Sequence, residues 1–134
     1  MSSDLRDIPS YYSNLGIDPR TLAMANHWDA DAFSILKYLT RFDRKDGIKD
    51  VVKARNFAVM RRDFAPGPLM YSPRIRLGDY LEANGYKSKP LIRYAISALW
   101  DTVYVYDGVK LYSDHLIKRI DEIITHLESN PSAG

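Results

Sequence analysis

The sequence predicts a mainly α fold with a small β element (α+β). An N-terminal helical hairpin or three-helix unit is followed by a small helix-turn-helix-hairpin-helix subdomain. Three observations lead there. Apolar residues recur at i, i+3, i+4 and i+7 in several stretches, the period of one helix face. One stretch, Phe64 to Arg74 ("FAPGPLMYSPR"), holds three prolines and a glycine that forbid a continuing helix. Another, Thr102 to Tyr112 ("TVYVYDGVKLY"), alternates β-branched and aromatic residues around Asp107-Gly108, a two-residue hairpin signal. The expected division is a helical region over 1–63, a Pro/Gly-rich joint over 64–74, a helix-helix-β-hairpin-helix subdomain over 75–130, and a tail over 131–134.

Taken in order, "GIDPRTLAMAN" predicts a short helix with Asp18 as N-cap and Pro19 in the first helical position. Asp29 is the expected N-cap of the next helix, whose Ala32, Ile35, Leu36, Leu39 and Phe42 share one face. Gly47 breaks that run. A further helix then turns Val51, Val52, Ala54, Ala58 and Val59 inward and leaves Lys49, Lys53 and Asn56 on an outer stripe. Beyond the joint, "RLGDYLEANG" reads as a short helix stopped by Gly85. Ser88 is the expected cap of a helix burying Ile92, Ala95, Ile96 and Leu99. After the expected hairpin, Ser113 or Asp114 starts a last helix burying Leu116, Ile117, Ile120, Ile124 and Leu127 and ending before Pro131.

Composition narrows the function classes. The chain has 134 residues, 46% hydrophobic and 27% charged, which suits a folded domain and not a disordered chain. With no cysteine, disulfides, thiolate catalysis and Cys-type zinc sites are excluded. His27, His115 and His126 lack metal spacing, no Ser–His–Asp arrangement stands out, and no metal site is expected. No apolar run approaches the roughly 20 residues that cross a bilayer, and "MSSDLRDIPS" lacks the pattern of a secretory signal. The expectation is a cytoplasmic protein without membrane contact.

Charge is sorted along the chain. From Lys37 to Arg62 nine basic residues stand against Asp43, Asp46 and Asp50, a segment charge of +6 in a chain of +2. Lys37, Arg41, Arg44 and Lys45 fall opposite the apolar face of their helix, and the next helix begins just after them. A helix start offers free N–H groups and a partial positive charge, arginine a planar fork for phosphate oxygens, and lysine a point charge. Spacing alone favours a solvated surface over an anion site.

A resemblance falls on the same residues. Pro9 to Met60 resembles the SaV-like family of small phage proteins, which includes a domain in the nucleotide kinase of T7-type phages. The features that carry it are Pro9-Ser10-Tyr11-Tyr12, the step Ile17-Asp18-Pro19, the helix with Lys37, Tyr38 and Arg41, the basic turn after it, and Asp50, Lys53 and Ala54. Tyr11 stands where the family has histidine, and Phe42-Asp43-Arg44-Lys45 where it has Ala-Gly-Lys-Lys. The resemblance implies contact with a nucleotide or another phosphorylated ligand, and a link to nucleotide metabolism. The residues expected to hold that ligand are Lys37, Arg41, Arg44, Lys45, Lys53 and Tyr12. Kinase-like chemistry is an implication of the resemblance only, because the chain has no Gly-x-x-x-x-Gly-Lys-Ser/Thr loop. The glutamate cluster of a MazG-type pyrophosphohydrolase is also missing.

A second reading uses the other half. Helix, turn, helix and hairpin is the order of a winged helix, with Lys87, Lys89 and Arg93 as nucleic-acid contacts. A third is a phage factor that binds a host protein or a second copy of itself without catalysis. All three stay open at the level of sequence.

Overall fold

Asp18 opens the first helix as expected: its carboxylate accepts from Thr21 N at 2.8 Å and from the Thr21 hydroxyl at 2.9 Å. The computed structural model describes residues 16–42 and 47–130. Their helices are α1 (Pro19–Ala25), α2 (Ala30–Arg41), α3 (Ile48–Phe64), α4 (Leu77–Ala83), α5 (Pro90–Tyr104) and α6 (Gly108–Ser129). The fold is all-helical among the described residues, as a mainly α reading requires.

Asp29 caps α2 by accepting from Ala32 N at 2.9 Å. Ala32, Ile35, Leu36, Leu39 and Phe42 are buried, the stripe expected from periodicity. α3 follows Gly47, whose φ of 57° is a left-handed conformation that glycine adopts without strain. Here the expected core needs one change. Val51, Ala54 and Ala58 are buried, but Val52 is 40% exposed, and the position beside Val51 in the interior is taken by Asp50. The buried carboxylate is tolerated because Arg41 pairs with it across the two helices, Nε to Oδ2 and Nη2 to Oδ1 at 3.3 Å each.

Between α3 and α4 the chain runs without regular structure, as the prolines dictate. It is pinned by Asn26, a fully buried residue at the end of α1. The Asn26 amide donates to Ile75 O at 2.8 Å and accepts from Arg74 N and Ile75 N at 2.8 and 2.9 Å. Gly85, at φ 73°, ends α4 as expected. α5 starts two residues after Ser88: Lys89 is its N-cap and Pro90 its first residue.

The expected hairpin does not form. α5 continues to Tyr104, α6 begins at Gly108, and Asp107 sits between them in the left-handed region at φ 57°. The reason is tertiary. Thr102 and Val103 extend the buried stripe of α5, and Val109 and Ser113 extend that of α6 backward, so both helices gain buried face by replacing strands. The two helices meet so closely at the corner that a Cβ on Gly108 would collide with Asp101 O. Tyr104 is consequently half-buried and Tyr106 is 77% exposed. The last helix therefore starts five residues before Ser113, and it buries Ile123 more fully than Ile124.

One hydrophobic cluster runs through helices on both sides of the 64–74 stretch. Leu36, Leu39 and Ala54 join Ile96, Leu99, Leu116 and Ile120 in it. Buried polar groups tie helices together around the cluster. Thr40 and Tyr80 share a hydroxyl–hydroxyl hydrogen bond of 3.0 Å, and the Tyr86 hydroxyl donates to Thr40 O at 3.3 Å. Arg61, only 4% exposed, donates through Nε to both Asp29 oxygens (3.2 and 3.1 Å) and through Nη1 to Thr102 Oγ1 at 2.7 Å. These contacts fix α2, whose outer face carries the candidate site. No described helix is long and apolar enough to cross a membrane.

Candidate functional site

The basic segment divides by residue type. Its described arginines are committed to carboxylates: Arg41 to Asp50, Arg55 to Asp121 at 2.7 Å, Arg61 to Asp29, and Arg62 to Asp114 at 2.9 Å and Asp63 at 3.3 Å. The hydrogen bonds that Arg62 donates to Asp114 and Asp63 favour its charged guanidinium and raise its pKa. Lys37 and Lys53 make no ion pair among the described residues. They gather instead on an aromatic ring.

That ring is Tyr38, half-buried on α2. Lys37 Nζ lies 4.8 Å from its centroid, Arg41 Cζ 4.8 Å and Lys53 Nζ 5.4 Å. Phe57 of α3 stacks beside it, with centroids 5.9 Å apart and planes 15° from parallel. Lys37 Nζ also lies 5.5 Å from the Phe33 ring. Local geometry explains the gathering. Phe33, Lys37 and Arg41 are spaced four apart on α2, and Lys53 and Phe57 four apart on α3, so each set lines one stripe. The π face attracts cations by its quadrupole, about 0.5–2 kcal/mol each depending on exposure. Three cations thus lie around one ring, with Asp50 as an adjacent acid among the described residues.

The sequence therefore brings Lys37, Arg41 and Lys53 together, while Tyr12, Arg44 and Lys45 lie outside the described residues. It missed that Arg41 is a structural ion-pair partner, because Asp50 is nine residues away on another helix. Phe33 and Phe57 were also missed, although their i, i+4 spacing to Lys37 and Lys53 was legible. The α3 start just beyond this cluster has no side-chain cap, and Asp50 supplies a carboxylate in its first turn.

A hollow of about 330 Å³ opens beside the cluster, between the ends of α1 and α2. Arg20, Met24, His27, Trp28 and Phe33 line it. Trp28 Nε1 donates to the Tyr104 hydroxyl at 3.1 Å, and the indole packs edge-on against Trp100 at 5.8 Å. Burial raises the Tyr104 pKa, and the Trp28 hydrogen bond offsets part of that. His27, at φ 59°, stacks on Tyr71 with centroids 4.2 Å apart.

Lys87, Lys89 and Arg93 lie apart from these residues, at the start of α5. Lys87 pairs with Glu82 at 3.6 Å, and Arg93 donates to Lys87 O at 2.7 Å and lies over the Tyr94 ring. The hairpin that would form their wing is absent. No group of three or more histidines and carboxylates converges as metal ligands among the described residues.

Residues 7–59 match the model of a family described as "Protein of unknown function (DUF3310)". The DUF3310 match covers less than half of the chain, and almost the same stretch that carries the SaV-like resemblance. It brings no nucleotide-kinase link. All of Phe33, Lys37, Tyr38, Arg41, Lys53 and Phe57 fall inside it. Comparison with curated proteins and with solved structures gave no match.

Proposed function

We propose that the α2–α3 face binds a phosphorylated ligand, a nucleotide foremost, with Lys37 and Lys53 as the phosphate contacts and Arg41 as the group that anchors the site. One observation carries this reading: two lysines without an ion-pair partner among the described residues converge with an arginine on the single ring of Tyr38. Like charges held together in this way are relieved by a bound anion, and a phosphate offers several acceptor oxygens at once. The resemblance of Pro9 to Met60 to a nucleotide-associated family supports the same ligand class.

The test is a thermal-melting panel of nucleotides, inorganic phosphate and duplex oligonucleotide against wild type and Lys37→Ala/Lys53→Ala. Stabilisation by a nucleotide that the double substitution abolishes is the expected result. Stabilisation by duplex DNA that survives it, and that Lys89→Ala/Arg93→Ala removes, would transfer the function to α5. No shift with any compound would refute the proposal.

A further inference from the structure

The geometry points to a base-binding subsite: the hollow lined by Trp28, Met24 and Phe33 receives the base of a nucleoside monophosphate whose phosphate rests on Lys37. This inference rests on the phosphate reading above and extends it to the rest of the ligand.

Phe33 is the hinge of the argument. Its ring lines the hollow and also lies 5.5 Å from Lys37 Nζ, so the apolar cavity and the cationic cluster share a wall. Phe33 and Lys37 are one helical turn apart, about 5–6 Å between Cβ atoms. A ribose is a spacer of suitable length to join a ring in the hollow to a phosphate at the lysine. At about 330 Å³ the hollow lies near the lower end of the roughly 300–1,000 Å³ typical of small-molecule sites. It suits one ring system and not a dinucleotide.

The lining has the matching chemistry. Trp28, Phe33 and Met24 give planar or polarisable apolar surface, while Arg20 adds a cationic residue to the lining. The indole is already oriented, because Nε1 is engaged by Tyr104 and the ring is braced by Trp100. His27, also in the lining, is held by its stack on Tyr71. A preorganised aromatic wall favours a flat ring over a flexible chain, since little is left to order on binding.

Isothermal titration of adenosine and uridine monophosphates against ribose 5-phosphate tests this on the full chain. In wild type, at least one of the two nucleotides binds roughly tenfold or more tightly than ribose 5-phosphate, the scale of one base–aromatic stack. Phe33→Leu erases that difference, whereas Phe33→Tyr keeps it. Equal binding of all three ligands in wild type overturns the subsite even if Phe33→Leu fails to fold, and leaves the phosphate reading standing when Lys37→Ala abolishes that binding. An advantage that survives Phe33→Leu also overturns it. No binding of any of the three overturns both readings.

Discussion

Replacing Arg41 and replacing Lys53 should have very unequal consequences for stability, although both cations lie against the same tyrosine. Arg41 is 11% exposed and holds the carboxylate of Asp50, which is fully buried. Removing one partner of a buried ion pair destabilises by about 3–5 kcal/mol, and contacts as long as 3.3 Å argue for the lower end. For 134 residues an unfolding entropy of about 2.1 cal/mol/K per residue amounts to about 0.28 kcal/mol/K, so 3 kcal/mol lowers Tm by about 11 °C. Lys53 is exposed and has no carboxylate partner among the described residues, so Lys53→Ala should stay within about 0.5 kcal/mol, under about 2 °C. The assay is thermal unfolding followed by far-UV circular dichroism, with urea unfolding as a second measure. An Arg41→Ala protein as stable as wild type would refute the assignment of Arg41 as the anchor between α2 and α3. It would return that residue to the role of a ligand contact.

Three further outcomes follow from the packing. Gly108→Ala forces a Cβ onto the Asp101 carbonyl at the α5–α6 corner and should destabilise by about 1–3 kcal/mol in urea unfolding; a neutral effect would contradict that close approach. Asn26→Ala removes three hydrogen bonds to the part-buried backbone of Arg74 and Ile75, each worth about 0.5–1.5 kcal/mol, and limited proteolysis should then cut within 65–76 at concentrations that spare wild type. Burial raises the Asp101 pKa, with His115 lowering it in part. The folded protein therefore holds that proton more tightly than the unfolded chain, and stability from this group falls as pH rises past the ordinary carboxylate range. Asp101→Asn should accordingly match wild type in strong acid and exceed it at neutral pH; a gain confined to acid would reverse the sign and refute the burial argument.

What the sequence disclosed, and what it hid, follows the range of the interactions. Caps are local, so Asp18, Asp29 and Gly85 were legible, as was the stripe Ala32, Ile35, Leu36, Leu39. The 102–112 stretch misled because Asp-Gly between β-branched and aromatic residues is a local hairpin signal. The helical phase of Thr102 and Val103 after Leu99, and of Val109 and Ser113 before Leu116, pointed the other way. Asn26 and Arg61 could not be read as braces, since their partners lie 49 and 41 residues away. For the site, charge sorting gave the face, but not which cations were already committed. Arg55, Arg61 and Arg62 look like Lys37 and Lys53 in a charge count, and only the fold brings Asp121, Asp29 and Asp114 to the arginines.

The central claim is that the ring of Tyr38, with Lys37 and Lys53, marks a phosphate site. The most direct measurement is amide chemical-shift mapping during titration with a nucleoside monophosphate, on wild type and on Lys37→Ala/Lys53→Ala. Saturable shifts centred on residues 33–41 and 50–57 that vanish in the double variant are the predicted result. Saturable shifts centred on 87–94, or the same shifts undiminished in the variant, would contradict it.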